Sequence, residues 1–310
     1  MSKFIKIIIL LIFLIACSEL FSKYFLGLGN PPLYVEDASI EYMLKPNQDV
    51  MRMGNHITVN EYGMRSSGTK SLYETSKNVV VFGDSIINGG NQTPDSSLAT
   101  SILQQRLQSE HDPKYQVLNI SAGSWGPQNW VAYANKYGFF NAEQIILLLS
   151  SHDYGDKPTF DPLNPNTHPT EKPFSAFYEL LTRYVPRYIP VFKGQSSSRS
   201  KSEPTSEEIE SAMANLKLFL SEAKSVTPYI TVIQNIEQTE LKSGYRDGYF
   251  QIKALCNELG IKAVNLNDYY EDAIKSGASP YRDNIHPNIS GQKLISDAFY
   301  DAFMENNITE

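Results

Sequence analysis

Two apolar periodicities alternate along this chain. Asn78-Val79-Val80-Val81-Phe82 is a short unbroken run of mostly β-branched residues, the pattern of a strand buried on both faces. The next segment, 96–108, carries Leu98, Ile102, Leu103 and Leu107 at helical spacing. Further strands are predicted over 115–120, 144–149, 229–233 and 261–266. Helices are predicted over 127–137, with Pro127 in the first turn, and over 207–223 and 245–259. A final helix is predicted to bury Leu294, Ile295, Ala298, Phe299, Ala302 and Phe303. Strands alternating with helices predict the α/β class, with a parallel five-stranded sheet between two helical layers.

Two regions break this rhythm. Residues 27–73 are rich in Gly, Pro and Asn, with short alternating pieces such as His56-Ile57-Thr58-Val59-Asn60. They predict loops and a small hairpin that pack on the main domain. Residues 154–189 are rich in Pro, Asn and Tyr and predict a long insertion with a short helix near 174–184. The polar, serine-rich stretch 193–206 is expected to be mobile and the first site of proteolysis. The expected organisation is a membrane segment over 1–28, an extension over 29–75, and a main domain over 76–310 with an insertion at 154–206.

The N-terminus bears on location. Lys3 and Lys6 precede Ile7-Ile8-Ile9-Leu10-Leu11-Ile12-Phe13-Leu14-Ile15-Ala16, the pattern of a secretory signal or signal anchor. Leu14-Ile15-Ala16-Cys17 also resembles a bacterial lipoprotein cleavage box, which would lipidate Cys17. Apolar residues resume at Leu20, Phe21, Tyr24, Phe25 and Leu26, so the stretch to Leu28 reaches the ~20 residues a spanning helix needs. Glu19 and Lys23 lie near one end, where charge is tolerated. Both readings tether the main domain to a membrane outside the cytoplasm, and the uncleaved anchor is favoured. Cys17 would then be unable to pair with Cys256, so no disulfide framework is implied.

Net charge narrows the partners. A formal charge of −7, with no basic stripe, argues against nucleic acid. No Gly-rich phosphate loop and no internal repeat is present. The many tyrosines and phenylalanines fit core packing or the binding of sugar rings.

Candidate chemistry lies at the ends of predicted strands. The first apolar run stops abruptly in Gly83-Asp84-Ser85, and Asp283-Asn284-Ile285-His286 stands just before the last helix. A serine hydroxyl needs an imidazole to take its proton, and the imidazole needs a carboxylate to fix its tautomer. Singly, each residue has an ordinary explanation: Ser85 and Asp283 as turn residues, His286-Pro287 as a helix boundary. Their order reverses that preference.

With these blocks the chain resembles the SGNH/GDSL hydrolases. Gly83-Asp84-Ser85 matches the first block, Gly123 in Leu118-Asn119-Ile120-Ser121-Ala122-Gly123 the second, and Asp283 to His286 the last. The usual third block, Gly-x-Asn-Asp, is replaced by Ser150-Ser151-His152-Asp153. The blocks span most of the chain. The resemblance implies a flavodoxin-like three-layer α/β/α fold. It implies Ser85 as nucleophile, His286 as base and Asp283 as its orienting acid. It also implies an oxyanion hole from the N–H groups of Ser85 and Gly123, completed by His152 in place of asparagine. A turn role for His152 is the plainer alternative. A zinc set of His152, Asp153, Asp156 and His168 has no supporting spacing, and no metal or cofactor is expected.

The implied activity is that of an exported serine esterase removing O-acetyl groups from a carbohydrate such as an envelope polysaccharide. Alternatives are a polysaccharide O-acyltransferase with the same triad, a lipase or thioesterase, and a non-catalytic carbohydrate-binding protein.

Overall fold

Five parallel strands form the centre of the computed structural model, which describes residues 3–66, 77–188 and 203–307. They are β1 (Lys77–Gly83), β2 (Tyr115–Ser121), β3 (Ala142–Ser150), β4 (Ile230–Asn235) and β5 (Lys262–Asn265). Their order in the sheet is β2-β1-β3-β4-β5, all parallel. This is the flavodoxin-like order, in which ligands bind beyond the strand ends where β1 and β3 part.

Side-chain alternation in the strands explains the layers. Val80 and Phe82 face a core shared with Trp130, Leu216, Phe219 and Ile252. These come from the helices Pro127–Tyr137, Ser206–Val226 and Asp247–Leu259. Val79 and Val81 face the opposite core, with Leu103, Leu107, Ile295 and Phe299 from the helices Ala99–Glu110 and Ile289–Asn307. Each such buried side chain contributes roughly 1.5–3 kcal/mol. A strand sandwiched in this way needs no polar face, which is why it reads as a continuous apolar run.

Helix ends follow local chemistry. Thr205 and Glu208 form a reciprocal capping box at the start of Ser206–Val226. Most of the predicted mobile stretch 193–206 lies outside the described residues. The helix predicted from 96 begins at Ala99, because Asp95–Ser97 forms a separate 3-10 turn. In that turn Asp95 accepts from Arg65 at 2.6 Å and from the Thr58 N–H at 2.6 Å. Short helices such as Asn267–Lys275 and Glu240–Ser243 lie outside the predicted pattern, and each has a single fully buried residue, Tyr270 and Glu240.

The region expected to hold one hairpin holds two, Tyr34–Asp37 with Glu41–Leu44 and Gln48–Arg52 with Asn55–Val59. His56 lies on the last of these strands, where it pairs with Asp49. Ile40, Tyr42, Met43 and Met64 share one core cluster with Val80, Phe82 and Trp130.

The insertion is fastened from below. Arg52 and Glu179 are both buried and pair through two contacts of 2.5 and 3.0 Å. Glu179 also accepts from the Gly29 N–H at 2.7 Å. Burial raises the Glu179 carboxyl, but Arg52, Gly29 and Arg183 outweigh it and hold it below its ordinary value. At the N-terminus, the helix over Lys3–Phe25 is long and apolar enough to cross a membrane. Its Glu19 accepts from the N–H groups of Ala176 and Phe177 in the insertion. Cys17 is exposed and Cys256 is buried, and both are free.

Candidate active site

Ser85 is carried by a turn fixed by two glycines, an aspartate cap and buried polar side chains. Gly83 ends β1 where a Cβ would lie 2.8 Å from the Leu148 carbonyl, so only glycine lets β1 and β3 close up there. Asp84 follows and caps the short helix Ser85–Asn88, accepting from the Ile86 N–H at 2.9 Å. Gly89 closes that helix with φ of 71°, a conformation that favours glycine.

The turn's carbonyls then meet buried donors. Gln292 donates to the Ile86 carbonyl at 2.7 Å and accepts from the Ala99 N–H at 2.9 Å. Asn119 donates to Ile87 at 2.8 Å. Arg65, itself buried, donates to the carbonyls of Asn88, Gly90 and Thr93. None of Arg65, Asn119 or Gln292 was picked out from sequence, since a polar residue serving a distant carbonyl leaves no local pattern.

His286 arrives from the opposite end of the chain. An isolated bridge between Tyr281 and Pro287 and a bond from the Arg282 N–H to the His286 carbonyl fold residues 281–287 into a tight loop. Within it, Asp283 Oδ1 accepts from the N–H groups of Ile285 at 2.9 Å and His286 at 2.8 Å. The same carboxylate faces His286 Nδ1 at 2.9 and 3.0 Å. With Nδ1–H donating to Asp283, Nε2 is left as a base, and it lies 2.9 Å from Ser85 Oγ. Burial would raise the Asp283 carboxyl, but the two N–H donors and the ring of His286 hold it below its ordinary value.

Gly123 follows β2, and Gly83 is in register with Ser121, so Ser85 and Gly123 stand on neighbouring strand ends. The Tyr42 hydroxyl donates to the Gly123 carbonyl. On its open side, Gly123 faces His168 Nε2, 3.9 Å from where a Cβ would be. His168 packs against the rings of Tyr34 and Tyr42, with centroids 4.7 and 4.6 Å away. It therefore stands apart from His152, and the zinc set considered from sequence is not assembled.

His152 follows β3. Its Nδ1 lies 3.2 Å from Glu237 Oε1. Its Nε2 points among Asp84 Oδ2 at 3.9 Å, Asp156 Oδ2 at 3.9 Å and Asp153 Oδ1 at 4.0 Å. Burial opposes a charge on the ring, but Asp153, Glu237, Asp156 and Asp84 together push its pKa up to about 10. Burial raises the carboxyls of Asp84 and Asp153. Glu237 is buried and is held by Arg246 at 2.8 and 3.1 Å and by Asn284 at 3.0 Å. Sequence reading missed Glu237, although its place two residues beyond β4 put it at this edge.

No protein-family model matches the chain, and no curated relative does. Among solved structures, it is similar to a catalytic mutant of Axe2, an acetylxylan esterase from Geobacillus stearothermophilus. That likeness has 13% identity and a TM-score of 0.47, and covers 74% of this chain and 95% of that one. A member of the lipolytic G-D-S-L family from Veillonella parvula DSM 2008 shows 15% identity and a TM-score of 0.42, covering 74% and 99%. A two-domain esterase active on acetylated mannans shows 12% identity and a TM-score of 0.46, covering 81% and 58%. At these identities and scores the likeness does not reach the site, and the side-chain geometry carries the functional reading.

Proposed function

We propose that this chain is a serine esterase of the SGNH/GDSL type. One observation carries the reading: the unbroken path from Ser85 Oγ through His286 Nε2 and Nδ1 to Asp283. Ser85 attacks an ester carbonyl while His286 Nε2 takes its proton, and Asp283 stabilises the imidazolium. The oxyanion is held by the N–H groups of Ser85 and Gly123. His286 then delivers the proton to the leaving alcohol. Water, activated by the same imidazole, frees the acyl group and restores Ser85. To His152 we assign the carboxylate cluster instead of the oxyanion, because Nδ1 faces Glu237 and Nε2 faces three carboxylate oxygens.

The substrate we infer is an O-acetylated carbohydrate. His168, only partly buried and backed by the rings of Tyr34 and Tyr42, faces the open side of Gly123 and supports this reading as an aromatic surface for a sugar ring. We further infer that the Lys3–Phe25 helix anchors residues 29–310 to a membrane, with the site on the extracytoplasmic side. The extension 29–75 and the insertion 154–206 would then form one unit with the main domain.

The test is release of para-nitrophenol from para-nitrophenyl acetate by the full chain in detergent, beside Ser85→Ala. Activity confined to the parent chain supports the esterase. Equal rates in both would overturn it. Acetate release from acetylated xylan or mannan, absent with de-acetylated polymer, then tests the substrate class.

A further inference from the structure

We propose that Asp84, His152 and Asp153 bind a single divalent transition ion of the zinc class, beside the candidate nucleophile and independent of its chemistry. Asp84 Oδ2, His152 Nε2 and Asp153 Oδ1 converge, and one ligand atom from each of these residues lies within 4.8 Å of the others.

The convergence is built from both shells. Asp84 accepts from the Ile86 N–H through Oδ1, which leaves Oδ2 turned to His152. Asp153 accepts from the Ser150 N–H through Oδ2 at 2.6 Å. Its other oxygen, Oδ1, is buried with no hydrogen-bond partner, although the residue is wholly buried. A buried carboxylate oxygen with no hydrogen-bond donor, and only the His152 ring at 4.0 Å, is costly, and a cation at this point would satisfy it. Behind the ring, Glu237 holds Nδ1, and Arg246 and Asn284 hold Glu237. A carboxylate on the far nitrogen of a ligating histidine is the usual support of a metal site, since it fixes the tautomer that presents Nε2.

Charge and donor type narrow the ion. Asp84, Asp153, Asp156 and Glu237 face His152, with Arg246 on the outer side of Glu237, so negative charge is in excess around the ring. Two carboxylates and one imidazole suit zinc better than magnesium or calcium, which take oxygen ligands. Zinc bonds to N and O are about 2.0–2.2 Å. The 3.9–4.0 Å gaps from His152 Nε2 to Asp84 and Asp153 would therefore close by roughly half an ångström on binding. Occupancy would tie the loop after β3 to the turn that carries Ser85.

The experiment uses the full chain in detergent, without a histidine tag, stripped with a chelator and dialysed. Zinc chloride is titrated by calorimetry, with magnesium and calcium chloride as comparisons. The expected result is one saturable zinc site, with affinity at least tenfold lower in Asp153→Asn and in His152→Gln. Glu237→Gln, which removes no ligand, should weaken binding roughly 10- to 100-fold. Circular dichroism identifies the folded variants, so that loss of binding is read only from those. Absence of saturable zinc binding would overturn the proposal and leave His152 as a plain counter-ion to its carboxylates. Unchanged affinity in folded Glu237→Gln and His152→Gln, or a preference for magnesium or calcium, would overturn it too. Each outcome is independent of whether para-nitrophenyl acetate is cleaved.

Discussion

His286 Nε2 lies 2.9 Å from Ser85 Oγ, although 201 positions separate the two residues in sequence. The contact joins the end of the first strand to the loop before the last helix. General-base assistance is worth about 10²- to 10⁴-fold in rate. His286→Ala should therefore lower kcat on para-nitrophenyl acetate by about that factor, with a smaller change in KM. Steady-state kinetics on the folded variant checks this, and an unaltered kcat would remove His286 from the mechanism.

Asp283 should matter less than His286. Its side chain is half-exposed, so water partly replaces it as partner to Nδ1. Asn at this position keeps an oxygen for the N–H groups of Ile285 and His286, so the loop should survive. Asp283→Asn is expected to cost about 10²-fold in kcat, the low end of the usual span of acid–base effects. A variant with parental activity would show that the imidazole is oriented by something else.

Gln292 tests how the nucleophile is held. It serves both the Ile86 carbonyl and the Ala99 N–H, and all three residues are buried. Gln292→Leu keeps the approximate volume but leaves two buried groups unpaired, at about 1–3 kcal/mol each. Denaturant unfolding should register that loss, and kcat should fall with it as Ser85 loosens. Gln292→Glu, which preserves only the acceptor, should lie between the two.

Acid should loosen the insertion before the sheet. Glu179 has a folded-state pKa below its ordinary value of about 4.3. Its stabilisation is therefore present above that value and is lost as pH falls through the lower, folded-state one. In Glu179→Gln the buried guanidinium of Arg52 has no counter-charge, a cost of about 3–5 kcal/mol at neutral pH. Thermal midpoints measured against pH should show the variant below the parent at pH 7, with the gap narrowing in acid. Parallel curves would count against the pair as the source.

The membrane segment has a direct chemical test. An uncleaved anchor predicts a membrane-fraction protein whose intact mass includes the Lys3–Phe25 helix. A mature chain starting at a diacylated Cys17 would instead identify a lipoprotein and remove that anchor. Glu19→Ala, which frees the N–H groups of Ala176 and Phe177, should increase protease access to the insertion without releasing the chain from the membrane.

Much of this fold is legible in the chain because its strands are buried on both faces. Such strands must be continuously apolar, and the helices that cover them must carry a stripe at 3.6-residue spacing. The segment 127–137 therefore matches its helix to the residue, and the 79–82 run lies inside Lys77–Gly83. Asn267–Lys275 falls outside the predicted pattern although Tyr269, Tyr270, Ala273 and Ile274 share one face, because nine residues hold too few repeats to set that stripe apart from a loop. Ser85, Asp283 and His286 were legible for a different reason: their chemistry demands fixed residue types at short local spacing.

Tertiary structure decided what stands around them. Sequence order could place His152 at the end of a strand, but not say which groups would face its two nitrogens. Glu237, Asp84 and Asp156 reach it from the ends of β4, β1 and the loop after β3, and only the β1-β3-β4 adjacency brings them together. The same holds for Arg65 and Gln292, whose partners are carbonyls with no side-chain signature. Local periodicity records which face of an element is buried. It does not record which polar groups from distant elements must satisfy one another once water has been excluded from between them.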